Sequence, residues 1–172
     1  MRFVIPVVLA LSGCVLPQVV PEALNTEFVA KGEIRSHERT ASFDAVRVRS
    51  PLMNISKRTD DSWGGTFDGR AIDVSVDGDN VRGVNLTLTR GDSKPGQMVV
   101  TGQFEGRIYR FELDANRALV RTPTASVTYP GRVIGEQKTM YGPAGELALM
   151  GEASAEAPPW PQFAFALLAA FH

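Results

Sequence analysis

The stretch "GQFEGRIYRFELD", Gly102 to Asp114, alternates apolar and polar side chains on both sides of a Glu105-Gly106 pair. A second stretch, "GTFDGRAIDVSVD" from Gly65 to Asp77, repeats its spelling: glycine, any residue, phenylalanine, an acid, glycine, arginine. Alternation with a period of two marks a half-buried strand. An acid-glycine pair between two such runs fits a two-residue hairpin turn, where glycine takes the positive φ that the turn demands and Glu suits the first position less well than Asp. That placement predicts a register. Phe104 faces Arg107, Gly102 faces Tyr109, Val100 faces Phe111 and Met98 faces Leu113; in the other copy Phe67 faces Arg70, Gly65 faces Ile72 and Trp63 faces Val74. Both registers gather the large apolar residues on one face, and a slip of one residue would scatter them. Tyr109 opposite Gly102 would cover bare backbone, the arrangement known as aromatic rescue.

The same alternation extends outward from about Thr26 to Glu152, in runs such as "AVRVRS", "AIDVSV", "VNLTLTR" and "YRFEL". Turn sequences break it at Asp77 to Asn80, Gly91 to Gly96, Asp114 to Arg117, Tyr129 to Gly131 and Tyr141 to Gly145. No window of a dozen residues there carries a helical apolar stripe. The expected fold is all-β: an antiparallel meander of about 8–10 strands, closed as a barrel or folded into a two-layer sandwich, because one open sheet would leave exposed edges. Gly65 and Gly102 lie 37 residues apart. Three strands fit that interval on this reading, an odd number that reverses strand direction. The two copies are therefore read as reused turn chemistry and not as units of a propeller or solenoid.

The chain opens with Arg2, the apolar run "FVIPVVLAL" and then "LSGC", Leu11 to Cys14, which holds its only cysteine. The apolar run is too short for a membrane-spanning helix, and the order of charge, apolar core and small residues is that of a secretory signal. The tetrapeptide resembles the lipobox of bacterial lipoproteins. That resemblance implies that residues 1–13 are a signal peptide removed at Cys14, and that Cys14 carries the acyl chains that hold the protein on a membrane. With Val15 next and no aspartate in the following positions, the resemblance implies the outer membrane of the bacterial envelope rather than the inner one. Residues 14–25, with Pro17 and Pro21, read as a tether, residues 26–152 as the β domain, and residues 153–172 as a Pro-rich linker with an apolar C-terminal segment.

That last segment follows Pro158, Pro159 and Pro161 and is almost wholly apolar from Gln162 to Phe171. Its alanines favour a short helix, while Phe163, Phe165 and Leu167 at alternate positions would also suit a strand. Burying such side chains is worth about 1.5–3 kcal/mol each. They should be covered by the body, as a lid or closing element, or else Phe163, Phe165, Leu167 and Phe171 dock onto a partner or membrane.

Catalytic chemistry has little to work with. The only histidines are His37, in the charged stretch "RSHER", and His172; there is no G-x-S-x-G elbow, and a zinc site of His and Cys ligands is equally starved. Asp60-Asp61 and Asp77/Asp79 lack the spacing of a calcium loop and read as turn residues. Arg47, Arg49, Arg70, Arg107 and Arg110 read as part of a mixed, solvated face with Asp73 and Glu112. The chain carries 18 basic and 19 acidic side chains, and losing Arg2 with the leader moves the net charge from −1 to −2, which gives no support to a nucleic-acid surface. No cofactor or metal is expected. The reading is a lipid-anchored, non-catalytic envelope module, protein-binding or structural, with a membrane contact through Cys14 and an envelope protein as partner; an enzyme of unrecognised type is a further class. Its alternative is a carrier whose small barrel holds an apolar ligand lined by Trp63, Phe67, Phe104, Tyr109 and Phe111.

Overall fold

The computed structural model describes residues 31–91, 94–134 and 137–172. Cys14 and the tether lie outside the described residues. The strands are β1 Lys31–Arg35, β2 Thr40–Asp44, β3 Arg47–Arg49, β4 Met53–Thr59, β5 Ser62–Phe67, β6 Arg70–Asp77, β7 Asn80–Gly83, β8 Leu86–Gly91, β9 Met98–Phe104, β10 Arg107–Leu113, β11 Arg117–Arg121, β12 Ser126–Ile134, β13 Gln137–Gly142 and β14 Gly145–Gly151. Each pairs antiparallel with its neighbours in sequence, and β1 pairs with β14 through Ile34 against Leu149, so the meander closes into one 14-stranded barrel. Closure removes every sheet edge.

Both hairpins have the register their spelling predicts. Phe104 pairs with Arg107, Gly102 with Tyr109, Val100 with Phe111 and Met98 with Leu113; Phe67 pairs with Arg70, Gly65 with Ile72 and Trp63 with Val74. In each turn both central residues are left-handed, Asp68 and Gly69 at φ 45° and 74°, Glu105 and Gly106 at φ 48° and 78°. This is the primed turn whose twist matches that of its strands. Gly65 and Gly102 are needed for a second reason: a Cβ on either would collide with the neighbouring strand's backbone, at Asn54 O and Thr87 O respectively.

The strand count is a correction, 14 in place of 8–10. The missed strands are short, and apolar residues occupy turns between them. "VNLTLTR" is not one strand: Val84 and Asn85 form the β7–β8 turn, with Asn85 at φ 60° and Val84 83 % exposed. "AVRVRS" likewise begins with the β2–β3 connection, where the Val46 N–H donates to Asp44 Oδ1 at 2.9 Å. Four strands, β5 to β8, therefore fill the interval read as three. The two copies run in the same direction and their turns lie at the same end of the barrel.

An eight-stranded barrel is just filled by its own side chains, whereas a wider one must enclose something more. Here it encloses α1, Gln162–Phe171, reached through a one-turn 3-10 helix at Glu152–Ser154 and the Pro-rich strap. Every residue from Gln162 to Ala170 is buried, as a helix apolar all round must be. Phe163 meets Phe43 with ring centroids 6.2 Å apart, Phe165 meets Trp63 at 5.7 Å, and Phe171 meets Phe111 at 5.9 Å. The choice between helix and strand is settled by closure. No sheet edge is left to pair with, so the segment's backbone must bond to itself. The outer wall carries polar side chains such as Asn54, Asp73, Ser75, Thr87, Gln103, Arg117 and Arg121, the reverse of the apolar-out alternation of transmembrane barrels.

Candidate functional site

The plug divides the barrel into two unlike ends. At the entry end the strap crosses the opening: the Gln162 amide donates to Ala45 O at 3.0 Å and the Trp160 indole to Gly78 O at 2.9 Å. Beneath the strap sits Lys138, 4 % exposed, donating to Asp114 O at 3.2 Å; burial holds its amine below the usual lysine range. The cavity beside it, lined in part by Pro158 and Phe163, is about 10 Å³, room for a single water.

At the exit end α1 ends among the residues of the rim. Ser36 Oγ donates to Ala170 O at 2.8 Å, tying the β1–β2 loop to the helix. His172 lies between the Phe67 and Phe104 rings, with centroids at 4.9 and 5.1 Å, and stacks on Tyr109 at 6.1 Å. The two phenylalanines of the repeated spelling are themselves 4.6 Å apart, edge to face. His172 Nδ1 lies 2.8 Å from the Tyr109 hydroxyl, and its Nε2 lies 3.8 Å from Glu105 Oε2. Either member of the Tyr109–His172 pair can donate, according to the imidazole tautomer. Burial pushes the His172 pKa down, helped by the nearby Arg107 and Arg39, and these outweigh the opposing pull of Glu105 and Asp68. Burial also pushes the Tyr109 phenol up. Glu105 occupies a backbone conformation unfavourable to a side-chain-bearing residue, and its carboxylate reaches both His172 and, at 3.4 Å, Arg70.

Beside this cluster the β1–β2, β11–β12 and β13–β14 loops enclose an open cup of about 480 Å³ whose floor is the end of α1. His37 and Glu38, Thr122 and Thr124, Tyr129 and Phe171 line it. His37 is exposed in its loop, as the charged stretch suggested.

The proposed ligand-lining residues Trp63, Phe67, Phe104, Tyr109 and Phe111 do face the lumen and are at most 3 % exposed, but what they line is the protein's own helix or its terminal His172. The proposed docking residues are a correction: Phe163, Phe165 and Leu167 are at most 1 % exposed inside the barrel and Phe171 is partly buried, so the body covers them, as a plug through its centre rather than a lid on its surface. Asp60 pairs with Lys57 at 2.8 Å and Asp79 pairs with Arg90, in keeping with turn residues. Sequence reasoning missed the cup and the His172 cluster. The shared phenylalanine of the two spellings was the one available signal, and the odd strand count hid it. No protein-family model, no curated protein and no solved structure matches this chain.

Proposed function

We propose that the protein is a lipid-anchored module of the bacterial envelope, held by acyl chains on Cys14 at the outer membrane, in which the barrel is a rigid, non-catalytic scaffold that engages an envelope protein. One observation carries the scaffold half of this reading: the lumen that a carrier would offer to an apolar ligand is filled by α1, with Phe163, Phe165 and Leu167 packed as core. The polar outer wall supports a body standing in water, above the bilayer and not within it. The lipobox resemblance supports the anchor.

Metabolic labelling with a radioactive fatty acid, followed by separation of inner and outer membranes, tests the anchor. Labelled protein in the outer-membrane fraction is expected, and Cys14→Ser should remove the label. Label retained by the variant would sink the anchor. Mass spectrometry of the native protein tests the scaffold, and a stoichiometric apolar ligand co-purifying with it would sink the claim that the lumen is only core.

A further inference from the structure

The cup at the exit end lies in the size range of small-molecule sites, about 300–1,000 Å³. The charged side chain in its lining is a carboxylate. Glu38 contributes a carboxylate, Thr122 and Thr124 contribute hydroxyls, and the floor is the carbonyl end of α1. The last carbonyls of a helix lack intrahelical partners, although Ala170 O already accepts from Ser36 Oγ, and the aligned peptide dipoles place about half a negative charge there. Among the described residues that line the cup there is no lysine or arginine; Arg39 and Arg107 act on His172 from outside the lining, opposite in sign to Glu105 and Asp68. Of its two imidazoles, burial keeps that of His172 neutral at neutral pH. The accessible part of the remaining wall is apolar, from the partly buried Val127 and Phe171 over the buried Val120 and Tyr129, and an aromatic ring such as that of Phe171 attracts a cation.

We propose that this cup is a binding site for a small amphipathic organic ammonium ion. The charged head sits against the Glu38 carboxylate and the carbonyl end of α1, and the apolar part lies on Val127 and Phe171. An anion of the same shape meets the helix end and Glu38 with the wrong sign, and a neutral analogue gains neither attraction. The site is independent of the anchoring reading, since it needs neither an acyl chain on Cys14 nor a protein partner.

Calorimetric titration of the full-length protein with three probes of matched shape tests this: phenethylammonium, phenethyl alcohol and 3-phenylpropionate. The ammonium should bind roughly tenfold more tightly than the alcohol, the size expected of a helix terminus and one carboxylate acting together, and the carboxylate should bind most weakly. Glu38→Gln, a change on an exposed loop, should weaken the ammonium about fivefold and leave the alcohol unchanged. Ala125→Trp, which places an indole at the cup's rim, should abolish binding of all three. Equal affinities, a preference for the carboxylate, or no ammonium binding at millimolar concentration would overturn the assignment of ligand. Ammonium binding unaffected by both variants would overturn the assignment of site.

Discussion

The two ends of the barrel are built on the same plug and differ in what closes over it. At the entry end β14 runs into the 3-10 helix and the Pro-rich strap, which the Gln162 and Trp160 hydrogen bonds hold to Ala45 and Gly78, leaving space for one water beside Lys138. At the exit end His172 packs between Phe67 and Phe104, and the loops stand around a cup of about 480 Å³. The difference teaches where each kind of residue acts. Side chains under the strap contribute to stability, because any space they left would be a sealed void with no partner atoms. His37, Glu38, Thr124 and Ala125 around the cup face solvent already and are free to contribute to recognition.

The largest break in this comparison is removal of what both ends share. Deleting Pro161 to His172 takes away the plug, leaves the lumen-facing Trp63, Phe111 and their neighbours without packing partners, and should abolish the cooperative thermal melt while exposing dye-binding apolar surface. A cooperative melt within a few degrees of the parent would mean that the barrel wall is stable by itself. At the entry end alone, Trp160→Ala removes the bond to Gly78 O and the partly buried indole beside the core. It should cost about 2 kcal/mol in a denaturant melt.

At the exit end the effects should be smaller. Gly69→Val and Gly106→Val meet no atom within 4 Å, so their penalty is backbone strain at φ 74° and 78° and not collision, about 1–2 kcal/mol each. Equal melts for parent and variants would show that these turns relax without cost. The His172 contribution should be smaller still and pH-dependent. Its folded pKa lies below the unfolded value of 6.5, so the unfolded chain takes up the proton first. The stability is fully present above about pH 6.5 and declines as pH falls towards the folded value. The groups facing His172 are Tyr109, Glu105, Asp68, Arg107 and Arg39. Melting temperatures at pH 7.5 and 5.5 should converge in His172→Gln relative to the parent; an unchanged difference would assign the acid sensitivity elsewhere. Smallest of all, Ala125→Trp should move stability by less than about 0.5 kcal/mol, as expected of an exposed position away from the core.

The amino-acid sequence by itself determined the local geometry of the wall. Period-two alternation and an acid-glycine pair place two positive φ values, and once those are placed the partners of Phe67, Trp63, Phe104, Tyr109 and Phe111 follow, because only one register keeps them on a common face. It also determined that the segment from Gln162 to Phe171 must be covered, since its apolar side chains lose too much in water. Three things were left to the tertiary structure. The number of strands depends on short turns such as Val84-Asn85, whose apolar residue reads as strand until the neighbouring ladders show where pairing stops. The helical form of the plug depends on closure of the barrel, which leaves its backbone no other partner. The meeting of Phe67 and Phe104 around His172, and the cup beside it, depends on the even number of strands, β6 to β9, between the two turns and on where the helix ends; side chains 63 to 105 residues apart in sequence converge there only because the whole barrel closes around the plug.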